Sequence, residues 1–147
     1  MKLSTRSRYG VRMMIDLACN YGKDYVFLKD IAAREKISEK YLSLIVIPLK
    51  SKGLIRSVRG AHGGYALAHP PRDISLRDIV EAVDGETCLV NCVKNPQSCE
   101  RAAICPTRNL WELVGSRINQ TLESITLDQL ANNKLTKKTP VRKKEQP

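Results

Sequence analysis

The chain reads as mainly α-helical with one small β-hairpin: a winged helix-turn-helix head followed by one long amphipathic helix. Three observations predict this class. A short helix, a tight turn and a capped helix occupy residues 28–52, and a hairpin rich in arginine and glycine follows them directly. Beyond Pro106, apolar residues recur at three- and four-residue spacing.

The 147 residues suffice for one domain with a real core and an appended arm. Charge is unevenly spread. Residues 1–80 carry 15 Lys/Arg against 7 Asp/Glu, residues 81–133 carry 4 against 7, and residues 134–147 carry 6 against 1. A basic head and basic tail around a mildly acidic middle suggest an anionic partner, nucleic acid foremost; a basic solvated surface is the plain alternative. No run of 18 apolar residues is present, and the first residues do not form a signal peptide, so no membrane association and a cytoplasmic location are expected. In such a compartment structural disulfides are rare, and clustered cysteines point to a metal or to redox chemistry.

The first helix is capped by Ser4 or Thr5 and runs to about Asn20, with Gly22 as its stop. Tyr9, Val11, Met13, Met14, Leu17 and Ala18 broadly fit one face, and Cys19 reads as a small packed hydrophobe. A second helix spans Leu28 to Lys36 with Leu28, Ile31 and Ala32 on one side. Ser38 caps a third, which reaches about Lys52 and stops at Gly53; Pro48 inside it should bend or shorten it. These two helices form the helix-turn-helix, the third being the recognition helix. Leu54–Arg59 and Tyr65–Ala68 then make a hairpin around Gly60, Gly63 and Gly64, whose lack of a side chain allows positive φ and close approach to a groove. Ser38, Lys40 and Tyr41 at the start of the recognition helix, with Arg59 and His62 on the wing, are the expected DNA contacts. Ser75 caps a fourth helix, whose Leu76, Ile79, Val80 and Val83 lie on one side before Asp84-Gly85 ends it.

Four of the five cysteines then fall within 18 residues, Cys88, Cys92, Cys99 and Cys105, in a segment without apolar periodicity. Pro106 opens a helix to about Ser124, about 28 Å long at ~1.5 Å per residue. Its stripe of Leu110, Leu113, Val114, Ile118, Leu122 and Ile125 reads as a dimer seam, since helix-turn-helix proteins bind two-fold half-sites as pairs. Thr126 caps one more short helix, and the Lys- and Pro-rich remainder cannot bury enough to fold. The expected divisions are therefore residues 1–84 as DNA-binding head, 85–105 as cysteine-rich sensor loop, 106–131 as dimerisation helix and short helix, and 132–147 as a disordered basic tail.

The opening ten residues, the segment Ile37–Leu42 and the stretch from Gly53 to Leu67 together resemble the Rrf-two family of bacterial winged-helix regulators, which includes IscR, NsrR, RirA and CymR. The resemblance covers roughly residues 1–131 and is most specific at the wing. It implies a homodimer on double-stranded operator DNA, with the long helix as seam. It also implies a 2Fe–2S or 4Fe–4S cluster on Cys92, Cys99 and Cys105, whose spacing C-x6-C-x5-C matches the cluster-binding members. Two positions depart from the family. Thr107 stands where IscR-like members carry a histidine ligand, and Arg8 stands where NsrR-like members carry a carboxylate or amide. Cys88 is an extra thiol that would complete an all-cysteine set.

Three function classes follow. The first is a transcriptional regulator, a repressor by expectation, whose promoter affinity is set by an iron–sulfur cluster sensing iron, nitric oxide or redox state. The second is a cluster-free regulator of sulfur or cysteine metabolism, worked by a thiol switch or a protein partner. The third is a zinc-stabilised nucleic-acid-binding module, for which the usual short cysteine knuckles are missing apart from Cys88-x3-Cys92. Enzyme chemistry is not expected: His62 and His69 are the only histidines, and the glycine run sits in a hairpin, not between a strand and a helix.

Overall fold

The computed structural model describes residues 1–133. The basic tail expected over 132–147 therefore lies, from residue 134 on, outside the described residues. In chain order the elements are α1 (Thr5–Cys19), α2 (Leu28–Glu35), α3 (Glu39–Ser51), β1 (Ile55–Val58), β2 (Gly64–Leu67), α4 (Leu76–Asp84), α5 (Asn91–Lys94), α6 (Pro106–Ser124) and α7 (Leu127–Ala131). The strands pair antiparallel, Ile55 opposite Leu67 and Val58 opposite Gly64. Val26 adds an isolated bridge to Tyr65, donating and accepting at 2.9 and 2.8 Å, so the segment before α2 buttresses the wing.

Local chemistry sets the helix starts. The Ser4, Ser38, Ser75 and Thr126 side chains each accept a backbone N–H in the first turn of the following helix, and Ser75–Asp78 and Thr126–Gln129 are reciprocal capping boxes. Gly53 and Gly85 take φ of +71° and +82°, in the left-handed region that ends helices. Lys36 does the same without being glycine, at φ +52°, and makes the tight turn between α2 and α3.

The core lies where α1 crosses α2, α3, α4 and α7. Met13, Met14, Ile31, Leu42, Ile45, Leu49, Ile79 and Leu127 are all fully buried there. Gly10 lets α1 close on its neighbours: a Cβ there would lie 3.4 Å from Val83 and 3.7 Å from Ile45. Two polar residues share this interior. Ser7 and Ser4 both donate to the Asp84 carboxylate, tying the start of α1 to the end of α4. Asp16 accepts two 2.8 Å hydrogen bonds from the Arg34 guanidinium, fixing α1 to α2.

One local expectation is corrected. Cys19 is exposed, not packed: it stands about 200° around the helix from buried Leu17. α3 runs past Pro48 to Ser51 with Lys52 as its C-cap, as its sequence signals predict. The carbonyl that Pro48 leaves without an N–H partner belongs to Leu44, an exposed residue.

α7 folds back onto the head. Leu76 N–H donates to Ile125 and Leu127 N–H to Ile74, both at 2.8 Å, so Leu127 closes the core beside α1.

Candidate nucleic-acid interface and cysteine segment

The helix-turn-helix presents the start of α3 outward. Ser38 and Lys40 are exposed. The Ser38 hydroxyl is engaged by the Tyr41 N–H at 3.1 Å, so its part is to define where the recognition helix begins. Tyr41 is half-buried, its ring edge-on to Tyr9 at 5.4 Å, which holds the first turn of α3 against α1. Arg59 and His62 are exposed on the wing tip. The tip depends on glycine: a Cβ on Gly63 would lie 2.3 Å from the Val58 carbonyl oxygen, and one on Gly64 2.5 Å from that of Val26.

The structure adds basic groups that the sequence left apart. Arg56 lies over the Tyr25 ring at 5.6 Å, and Lys50 donates to Ser57 at 2.7 Å, linking the end of α3 to β1. Arg6 borders the outer face of α3 with Tyr41, Leu44 and Pro48. The basic opening Lys2, Arg6, Arg8 was the available sign, but its proximity to α3 depends on how α1 crosses the head.

The cysteine segment joins α4 to α6. Cys88 is exposed and its thiol donates to the Val90 carbonyl at 2.9 Å. Cys92, half-buried on α5, accepts from Arg108 at its carbonyl at 3.1 Å. Cys99 is exposed after the 3-10 turn Pro96–Ser98. Cys105 is half-buried at the N-cap of α6 and shares a 3.0 Å hydrogen bond with the Thr107 hydroxyl. That bond, then the Arg108 N–H, hold the Cys105 thiol below its ordinary pKa. An exposed Lys94–Glu86 pair at 2.7 Å stitches the segment together.

The four thiols thus share one segment, yet among the described residues no three of them converge as ligands of one metal would. The chemistry of the donor set nevertheless fits a cluster. Soft sulfur donors are all at least partly accessible, and the segment is held mainly by short-range hydrogen bonds. The two departing positions are engaged locally. Thr107 serves Cys105, and Arg8 donates to Thr5 at 3.2 Å and lies over the Tyr9 ring. His62 and His69 lie outside the segment, on and beyond the wing.

Comparison with known proteins accounts for this architecture. The Rrf2 family model, described as an iron-dependent transcriptional regulator, matches residues 3–133. The protein rrf2 of Nitratidesulfovibrio vulgaris is 42% identical over 130 residues, 88% of this chain and 87% of that protein. The solved structure of CymR, the global cysteine regulator of B. subtilis, superposes with a TM-score of 0.76 at 37% identity, covering 90% of this chain and 98% of that one. That of T. potens IscR gives 0.75 at 38%, covering 92% and 89%. The chain belongs to the Rrf2 family of DNA-binding transcriptional regulators, and is not an enzyme.

Proposed function

We propose that this regulator works as a homodimer whose affinity for promoter DNA is set by an iron–sulfur cluster held by Cys92, Cys99 and Cys105, with Cys88 as the fourth ligand. The observation that carries this reading is the placement of four accessible thiols on the one segment that joins the head to α6. When bound, the cluster supplies a centre that oxygen, nitric oxide or iron shortage alters or removes. The chain's own part is mechanical. Asp84, the last residue of α4, is hydrogen-bonded to Ser4 and Ser7 at the start of α1, and α1 touches α3 through Tyr9 and Tyr41. Ordering of the segment after Gly85 therefore bears on the helix that enters the groove. In a dimer the two recognition helices must match one turn of DNA, so small rotations change affinity.

The test uses protein purified without oxygen and operator DNA that the protein itself selects from genomic fragments. Iron and sulfide in equal amounts, visible absorption, and promoter binding that changes on exposure to air support the cluster. Colourless, iron-free protein whose binding is indifferent to air refutes it. Arg59→Ala should weaken operator binding about tenfold or more, from ~1–3 kcal/mol for a groove-inserted arginine, while dimerisation stays unchanged. An unaltered footprint would remove Arg59 from the interface.

A second reading is favoured by Thr107, whose hydrogen bond to Cys105 holds that thiol below its ordinary pKa, as a reactive thiol requires. In it, two of the cysteines close to a disulfide, giving two protons and two electrons to an oxidant such as hydrogen peroxide. The likeness to CymR, a global cysteine regulator, makes sulfur metabolism the regulon of that version. Colourless protein whose operator binding responds to peroxide and recovers with dithiothreitol selects it.

A further inference from the structure

A cavity of about 510 Å³ opens between the end of α4, the cysteine segment and α6. Its size falls in the range of small-ligand sites. It lies along one flank of α6. At ~100° per residue, Trp111, Glu112, Gly115 and Asn119 share one side of the helix, while Leu110, Leu113 and Arg117 share the opposite one. Leu89 confirms the orientation, lying 3.9 Å from where a Cβ on Gly115 would be. Ile118 and Leu122 of the stripe border this side, while Leu110 and Leu113 face away from it.

The wall has a one-sided demand. Its two cations are already matched: Arg77 pairs with Glu81 at 2.8 Å and Glu123 at 3.4 Å, and Lys94 pairs with Glu86 at 2.7 Å. Glu112 makes no ion pair among the described residues. The carbonyl oxygen of the Asn119 side chain is shielded from solvent and accepts no hydrogen bond among the described residues. The buried Asn119 oxygen requires an N–H donor, and the exposed Glu112 carboxylate on the same wall favours a charged one. The Trp111 indole, on the same wall, is the side chain best suited to face an organic cation. Gly115 leaves the space a side chain would fill.

We propose that this cavity is an effector site for a small ligand carrying a primary ammonium group, seated on Glu112 and Asn119 beside Trp111. The site adjoins the segment that joins the head to α6, so its occupancy changes operator affinity. The proposal does not rest on the iron–sulfur reading.

The test titrates the full-length protein, with its iron content recorded, with putrescine, L-ornithine and, as a control without an amine, succinate. Calorimetry and operator binding are the readouts. Saturable binding of putrescine or ornithine below millimolar concentration, none of succinate, and at least a threefold change in operator affinity are expected. Ornithine binding without putrescine identifies an amino-acid site, and binding of both identifies a general amine site. Glu112→Gln, an exposed change, should weaken binding at least tenfold, and Gly115→Leu should abolish it by filling the cavity. Both variants should bind operator normally without ligand. Absence of amine binding at millimolar concentration, or binding indifferent to both variants, overturns the proposal. Either result leaves the cluster reading to its own test by iron and sulfide content.

Discussion

In the head, α1, α2, α3, α4 and α7 each contribute a side chain with no exposure: Met13, Ile31, Leu42, Ile79 and Leu127. The longest helix, α6, contributes no buried residue, and its Leu110 and Leu113 are about half exposed, at 48% and 55%. Both regions carry an amphipathic pattern, so the pattern is not what separates them. The head satisfies its apolar faces within one chain, where each buried Leu or Ile is worth ~1.5–3 kcal/mol. In the α6 stripe Leu110 and Leu113 are exposed, whereas Val114, Ile118, Leu122 and Ile125 are half-buried, with α6 against α4 and α5 of the same chain. The head closes its core within one chain, while the outer side of α6 leaves Leu110 and Leu113 to solvent.

The largest effect expected from this contrast is in the head. Leu42→Ala should cost ~2–5 kcal/mol in urea unfolding, because it removes a buried side chain whose neighbours cannot collapse into the gap. A loss below ~1 kcal/mol would mean the head core is less closed than its burial states. Leu113→Glu probes the other side. It should leave the methyl resonances of buried Met13 and Met14 in place while sedimentation shifts from dimer to monomer. A variant that remains dimeric would exclude the stripe as the seam.

A smaller effect is expected at the junction. Ser75→Ala breaks the capping box of α4 and should cost ~1 kcal/mol, with Thr126→Ala similar at α7. Additivity of the two would be informative, since Ser75 and Thr126 form a β-bridge and neighbours of this kind couple.

The smallest effect belongs to the cysteine segment. Hydrogen bonding to Lys94 holds the Glu86 carboxyl below its ordinary pKa. A depressed carboxylate contributes above its unfolded pKa, and that contribution is lost as pH falls through the depressed value. Neutral and mildly acidic solutions should therefore look alike, and stronger acid should lower the amide protection factors, taken relative to intrinsic exchange rates, around residues 86–94. Because the pair is exposed, added salt should erase the difference from Glu86→Gln.

Much of the head was legible because its signals are local. Ser38 and Ser75 begin helices by offering an oxygen to a free N–H within one turn, and Gly53 and Gly85 end them by accepting a backbone conformation other residues resist. Cys19 shows the limit of that reading: whether a residue at the end of α1 is packed depends on which way the helix is turned in the folded chain.

Of the site, the residue types and their order along the chain were visible, while their spatial relations were not. Four thiols in 18 residues announced sulfur chemistry. That they stand apart, with Thr107 bonded to Cys105, is a matter of side-chain direction that spacing does not encode. Nor does spacing show that Arg6 borders α3 or that Arg56 is braced by Tyr25.

The order of helices and wing, the caps, the basic head and the cysteine-rich segment follow from neighbours a few residues apart, and the residue string alone determined them. The return of α7 to close the core, the clasp of Asp84 on Ser4 and Ser7, the bracing of the wing by Val26 and the cavity beside α6 join residues separated by tens of positions. Those long-range contacts were decided only when the whole chain packed, because many partners satisfy the same local pattern and only the assembled volume selects among them.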